Sequence, residues 1–422
     1  MVRIRGTPVS GDRASQWFKA PRGVGRTAVS GRQTRPWSAP RVTSPLVTHP
    51  AVTLRPISAQ EHLSFVAARS GSFLQTPAWG QLKNDWSSES LGWFAGEEMV
   101  AAALVLYRQI PRVKRCLAYL PEGPVTADGG WAGPYVLDVL RTLRDHAKAR
   151  GAFTLRIGPA QPVRRWRTDT IKAAIADDTV RSLTQVTADE TDETGTMLTT
   201  LLTRLGFEHL TAEDGFSAGQ PQFVFQLPLG GKSEDDLLTG MNQLWRRNIK
   251  KAAKAGVVVE QAGAADLPDF HRVYAETAER DHFIPRPLSY FQRMFEVMLA
   301  EDPDRIRLYL ARHEGDVVAA TTWVRVGRHT WYSYGASTAA KREVQGSTAI
   351  QWRMMRDALA AGATIYDLRG ITDTIASDDP HIGLIRFKVA TGGEAVEYVG
   401  EWDLPLNALL HKAFGLYMKR RG

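Results

Sequence analysis

The chain has 422 residues, 43% of them hydrophobic, enough to bury more than one core, and size scaling favours two domains over one. Its formal charge of +8 suggests a polyanionic partner at first sight. The single cysteine, Cys116, excludes an internal disulfide and any cysteine-based zinc cluster, and the ten histidines show no ligand spacing, so neither metal nor cofactor is expected.

The charge sits at the start of the chain. Residues 1–50 hold eight Arg and Lys19 against Asp12 alone; taking these from 53 basic and 45 acidic residues leaves 44 of each in the rest. The segment is rich in Gly, Pro, Ser and Arg, with its large apolar residues scattered, and cannot offset the entropy of ordering. It is expected to be a disordered basic extension or an over-long gene start. It lacks the apolar run of a secretory signal, and no later stretch approaches a transmembrane span, so a cytoplasmic protein is expected. Cys116 reads as a small core residue.

From residue 52 the elements come in an order that later repeats. Val52 to Ser70 reads as a strand and a helix. Leu91-Gly-Trp-Phe-Ala, a turn at Gly96-Glu-Glu and Met99 to Tyr107 form a hairpin. Residues 133–150 carry apolar side chains at spacings of three and four, as a helix packed on a sheet requires, and lead into the strand Phe153-Thr-Leu-Arg-Ile-Gly-Pro. The second copy begins at Val257, continues through the hairpin Leu308 to Val326 with its turn at Glu314-Gly-Asp, and ends with a helix at Ser347 to Ala361 and the strand Thr364-Ile-Tyr-Asp-Leu-Arg-Gly. An unrelated α/β pair gives the same order by chance; duplication is the preferred reading. The order resembles the GNAT acyltransferase fold, so the expectation is a duplicated α/β protein with a disordered extension over 1–50, GNAT-like domains over 51–235 and 236–403, and a C-terminal amphipathic helix over 404–422. GNAT enzymes hold the pyrophosphate of acetyl-CoA on a Gly-rich turn at a helix start. The equivalent turns here, Asp128-Gly-Gly-Trp-Ala-Gly and Gln345-Gly-Ser-Thr, are poor CoA loops, which points to another acyl donor.

Several separated motifs carry a more specific likeness. Ser72-Phe-Leu-Gln-Thr-Pro-Ala-Trp-Gly-Gln-Leu-Lys-Asn-Asp-Trp86, Trp245-Arg-Arg-Asn-Ile-Lys-Lys-Ala, Tyr366-Asp-Leu-Arg-Gly-Ile, Gly383-Leu-Ile-Arg-Phe-Lys, Thr391-Gly-Gly and Glu401-Trp-Asp-Leu-Pro occur in the order found in the Fem peptidyltransferases. The chain resembles that family over about residues 52–420. The resemblance implies transfer of an amino acid from aminoacyl-tRNA to an amine of a muramyl-peptide precursor, either UDP-linked or lipid-linked, by a monomer. The stretch from Lys254 to Pro268 is too short for the helical arm some members insert.

In such a reaction the difficult point is the charge that grows on the ester carbonyl oxygen, which a fixed cation stabilises. The resemblance assigns that role, or the tRNA 3′ end, to Lys388, with Phe387 beside it; in an unknown fold Lys388 would read as a surface lysine on a strand end. It likewise assigns Lys83 and Arg286 to the acceptor diphosphate, with Tyr290 one turn beyond Arg286, and places tyrosines facing the substrate cleft at Tyr332 and Tyr334. Alternation on a strand would put those two on one face. Where many members carry Asp before Pro, this chain has Gly158-Pro159, so no dedicated base is expected; Glu122 and Asp128 share a loop, but nothing makes either one a base. Arg246, Arg247 and Lys250 of the basic helix are candidate tRNA phosphate contacts. The tail, with Leu409, Leu410, Ala413, Phe414, Leu416 and Tyr417 before Lys419-Arg-Arg, fits either packing on the first domain, which is preferred, or peripheral contact with the inner face of an anionic membrane. Rival readings are transfer to another peptide or natural product, CoA-dependent N-acetylation, and nucleic-acid binding.

Overall fold

The computed structural model describes residues 49–127, 130–210, 219–379 and 381–421, with the side chains of 418–421 excepted. The extension expected over 1–50 therefore lies, apart from its last two residues, outside the described residues, as do Asp128 and the Lys419-Arg-Arg side chains.

The first repeat comprises β1 (Val52–Pro56), α1 (Ala59–Ala68), α2 (Pro77–Leu82), β2 (Ser87–Ala95), β3 (Glu98–Gln109), β4 (Cys116–Leu120), β5 (Val125–Thr126), α3 (Val136–Ala149) and β6 (Ala152–Ile157). Local chemistry fixes its boundaries. Ser58 and Glu61 close a capping box at the start of α1, Pro77 occupies the first turn of α2, and Gly96 turns the β2–β3 hairpin at a φ of +64°. A connecting region follows, with β7 (Pro162–Arg167), α4 (Thr168–Ile175), β8 (Glu190–Thr191), α5 (Glu193–Arg204), β9 (Glu208–His209), β10 (Phe223–Pro228), α6 (Glu234–Gly240) and α7 (Gln243–Lys254). The second repeat comprises β11 (Val258–Ala262), α8 (Leu267–Arg280), α9 (Leu288–Glu301), β12 (Ile306–His313), β13 (Asp316–Val326), β14 (His329–Ser337), α10 (Gly346–Ala360) and β15 (Ile365–Ile371). The chain ends with α11 (Ile382–Val389), β16 (Glu394–Tyr398), β17 (Trp402–Pro405) and α12 (Ala408–Arg421).

The two repeats build the same sheet. One reads β1-β2-β3-β4-β6 and the other β11-β12-β13-β14-β15, and each has one parallel pair, β4 with β6 and β14 with β15, bridged by α3 or α10. The protein is a duplicated GNAT-like α/β fold, and β11 with a short 3₁₀ turn fills the space from α7 to α8, leaving no room for a helical arm. Beyond each parallel pair an open edge must be covered. The expected boundary at 235/236 does not follow how this is done: β10 pairs with β15 and is followed by β16, β7 and β8, so three strands of the first segment join the second sheet, while β17 returns to cover β6. Because β17 takes Trp402–Pro405, the final helix begins at Ala408 instead of 404.

Burial follows the strand period. Along β3, Ala101, Ala103, Val105 and Tyr107 enter the first half's own core, whereas Leu104 and Leu106 enter a core shared with Phe270, Phe291, Leu308 and Trp331 of the second half. Each such leucine contributes about 2 kcal/mol by leaving water. The shared core holds α2 against α9, and the Ala78 N–H donates to Glu301 across the join at 2.7 Å. Cys116 is buried in the first core, as its sequence context suggested. On α12, Phe414 meets Phe153 edge-on at 5.3 Å and His411 pairs with Thr154 at 2.9 Å, so one side of this helix packs on the first half. Among the described residues no helix is long and apolar enough to cross a membrane, and no group of three or more His, Cys, Asp or Glu is arranged to hold a metal.

Candidate active site

Residues far apart in the chain meet where the halves join. Lys83 follows α2, Arg286 precedes α9, Tyr290 lies in its first turn, and Tyr334 is on β14. The Arg286 guanidinium lies 4.5 Å from the Tyr290 ring centre, Lys83 Nζ is 4.7 Å from the Trp79 ring and 6.0 Å from Tyr290, and the Tyr290 and Tyr334 hydroxyls are 3.3 Å apart. All four are half-buried and gather around the Tyr290 ring, a set of two cations and two hydroxyls of the kind that holds an anion. Tyr332 is not part of it. Thr322 of β13 stands opposite two residues of β14, Ser333 and Tyr334, and this bulge breaks the alternation. Tyr332 packs with the second half's core beside Trp323, and Tyr334 with the shared core against Phe291 at 5.1 Å. The expectation that the two tyrosines share a face is thereby corrected.

From Trp79 the aromatic rings continue to Phe73 at 5.5 Å, and the Arg369 guanidinium lies 5.5 Å from the Phe73 ring. Arg369 opens a buried polar network that neither half could close alone. It pairs with Glu122 at 3.1 Å; Glu122 also accepts from Ser72 Oγ at 2.5 Å, and Arg369 donates to Gln220. Its backbone has a φ of +63°, a strained state for arginine, pinned by its N–H donating to Asp367 at 2.5 Å. Asp367 accepts from Gln226, which also donates to Tyr398.

Lys388 ends in the same network. It is on helix α11 and 3% exposed, so the alternative of a surface lysine on a strand end is wrong on both counts. Nζ donates to the carbonyls of Gly370 at 2.7 Å and Arg369 at 3.2 Å. Burial pulls its pKa down to about 7, against the attraction of Asp367 and assisted by the nearby Arg369 cation. Next to it in sequence, Phe387 faces the other way, packing on Trp245 at 5.1 Å, and both rings line an open cavity of about 500 Å³ with Asn242, Asn248, Lys172 and Arg386. Lys388 thus reaches into the Arg369 network from α11, the helix whose Arg386 and Phe387 line this cavity.

The basic helix α7 borders the cavity through Asn242, Trp245 and Asn248. Arg247 and Lys250 are exposed, but Arg246 is not an outward contact: its Nη1 donates to the carbonyls of Leu238, Thr239 and Met241 around the end of α6. Helical spacing cannot reveal that the preceding helix ends within its reach.

At Gly158 the carboxylate absent from the sequence motif has a neighbour in space. A Cβ at this position would lie 3.0 Å from Glu401 Cγ, and Glu401 is 3% exposed, accepts from the Tyr119 hydroxyl, and has its carboxyl pushed up by burial against the pull of Arg156. Gly158→Asp would place a second carboxylate against this buried one. We expect a loss of about 2 kcal/mol of stability in chemical denaturation, with no gain in activity. A variant as stable as wild type would show that the site tolerates both acids.

Sequence reading did not single out Arg369 or Asp367 as site residues, although both lie in the Tyr366-Asp-Leu-Arg-Gly-Ile motif. Two buried-type charges in the middle of a core strand were the signal that could have found them.

A model of the FemAB family matches residues 57–314 and 307–419. A lipid II:glycine glycyltransferase of Staphylococcus saprophyticus is 24% identical over 421 residues, covering 84% of this chain and 94% of that protein. One of the same name from Staphylococcus aureus is 24% identical over 428 residues, covering 84% and 93%. A solved crystal structure of FemX superposes with a TM-score of 0.72 at 22% identity, covering 86% of this chain and 99% of that one, a likeness of fold.

Proposed function

The chain belongs to the FemAB family, and on that premise we propose that it transfers an amino acid from aminoacyl-tRNA to an amine on the peptide stem of a peptidoglycan precursor. The observation that supports this reading is a run of contacts from the Lys83, Arg286 and Tyr290 cluster through Trp79, Phe73 and Arg369 to the buried Lys388, whose own helix lines an open aromatic cavity. The cluster of Lys83, Arg286, Tyr290 and Tyr334 suits the diphosphate of a muramyl-peptide acceptor. The names of the staphylococcal relatives, which specify lipid II, support this class of acceptor. The cavity beside Phe387 and Trp245 suits the terminal nucleotide of the donor, with the exposed Arg247 and Lys250 of α7 on its approach to phosphates.

In this reading the neutral acceptor amine attacks the ester carbonyl, the C–N bond forms as the C–O bond to the tRNA ribose breaks, and the amine proton passes to the leaving oxygen. Two of the three Lys388 donors are taken by backbone carbonyls, which fixes the ammonium, and this reading assigns its remaining N–H to the oxyanion. A fixed donor costs little reorganisation at the moment of reaction. The reaction would take place on the cytoplasmic side, where charged tRNA is found.

The test is a matrix of charged tRNAs against UDP-linked and lipid-linked acceptors, scored by mass gain. At least one pair should add a single aminoacyl unit. No gain with any pair, together with tight binding of acetyl-CoA, would overturn the reading in favour of acetyl transfer.

A further inference from the structure

One end of the first sheet presents exposed apolar and basic side chains side by side. The inner face of α12 is fixed by Phe414 and His411. On its opposite face Leu409 is 78% and Leu416 62% exposed, with Ala413 exposed between them and Lys412 beside them. In sequence, the stretch from Leu404 to Gly422 has four basic residues and no acid. The turn between β3 and β4 forms a second element: Arg112, Lys114 and Arg115 are all exposed, around Val113 at 41%.

The two elements flank the start of β6. Cys116, next to the turn, is paired with Ala152, and both Arg115 Nη1 and the Lys114 carbonyl lie 3.6 Å from where a Cβ at Gly151 would stand. Two residues on, the Phe153 carbonyl accepts from the N–H groups of Leu406 and Asn407, where the chain enters α12. Lys148 and Arg150, also exposed, end the neighbouring α3. Of the acids nearby, Glu208 approaches His411 at 3.4 Å, Glu89 is taken up by His146, Tyr107 and Arg150, and Asp145 on α3 pairs with Arg144 at 2.7 Å.

The geometry points to a docking surface for an anionic lipid bilayer, formed by the outer face of α12 and the Arg112–Arg115 turn. Leucines flanked by cations on a helix that lies along the protein surface match interfacial binding, in which the apolar side chains enter the headgroup boundary and each Lys or Arg gains from the negative leaflet. The charge pattern disfavours a basic protein partner, and the leucines contribute nothing to a purely electrostatic contact with RNA. This inference rests on the proposed transfer reaction in one respect: docking would favour a lipid-linked acceptor over a nucleotide-linked one.

The test uses the full chain with vesicles of phosphatidylglycerol and phosphatidylethanolamine, or of phosphatidylcholine alone, at 0.1 and 0.5 M salt. Wild type should sediment with the anionic vesicles at least tenfold more tightly than with neutral ones, and lose that preference at high salt. Leu409→Asp with Leu416→Asp, and separately Arg112→Glu with Lys114→Glu, should each weaken binding about tenfold, while transfer to a soluble UDP-linked acceptor stays within twofold of wild type. Unchanged vesicle binding by both variants would assign the attraction to another part of the chain and overturn the proposal. A dimer in solution that the leucine variant dissolves would give the face to a second copy and do the same. If wild type binds anionic vesicles but transfers to no acceptor, the functional reading fails and the docking surface stands.

Discussion

Lys388→Met should slow transfer by a hundredfold or more, about 3 kcal/mol of barrier, the size of effect seen when one oxyanion donor is removed. The reason is positional: Nζ is held by the Arg369 and Gly370 carbonyls, so its charge is aimed before substrate arrives. Met keeps the aliphatic stem packed in the core but removes the ammonium that donates to both carbonyls, so a loss of stability of about 1–3 kcal/mol is expected as well. Rates must therefore be measured below the melting transition of the variant. The pH profile separates the two effects. Burial lowers the Lys388 pKa to about 7, so the fraction of the cationic form falls as pH rises through 7, and single-turnover transfer in the wild type should decline there. The residual activity of Lys388→Met should lack that limb. A variant with near-normal turnover and the same decline would remove the residue from the mechanism.

Arg286→Ala should lower kcat/KM by about 2 kcal/mol, some thirtyfold, and Lys83→Ala by a similar amount, through the loss of charge-assisted hydrogen bonds to an anionic acceptor. The double variant should lose less than the sum, because both cations lie against Tyr290 and, on the proposed reading, would share one ligand. The decisive comparison is an acceptor stripped of its phosphates, on which wild type and single variants should differ by less than threefold. Folding is a lesser concern than at Lys388, since both side chains are half-buried at the mouth of the shared core. Equal losses on phosphorylated and stripped acceptors would show that these residues act through structure and not through the diphosphate.

Tyr290→Phe is a milder case. It removes a hydroxyl 3.3 Å from that of Tyr334 while keeping the ring beneath Arg286, so its effect should remain near 1 kcal/mol.

Local chemistry made much of this molecule legible from its residues alone. The turns at Gly96 and Glu314-Gly-Asp and the three-and-four spacing of the apolar residues over 133–150 each specify an element without reference to anything distant. Their repetition gives the duplicated fold, and the ordered motifs give the family. The resemblance also singles out Lys83, Arg286, Tyr290 and Lys388 as candidates, and the structure brings the first three together.

Other features depended on partners that no periodicity encodes. Strand alternation says which side chains share a face but not which sheet a strand enters, so the exchange of β7, β8, β10 and β17 between halves was hidden. A bulge is a mismatch between two strands and cannot be read from one, which is why Tyr332 and Tyr334 parted. The chain alone thus determined the elements, their duplication and the chemistry available at the join. Only the folded tertiary structure decided that Lys388 is buried beneath two carbonyls, that Arg369 is tied to Glu122 across the halves, and that Arg246 turns inward. These contacts join residues up to 247 positions apart, and the free energy that selects them comes from closing a shared core and network, which no local segment contains.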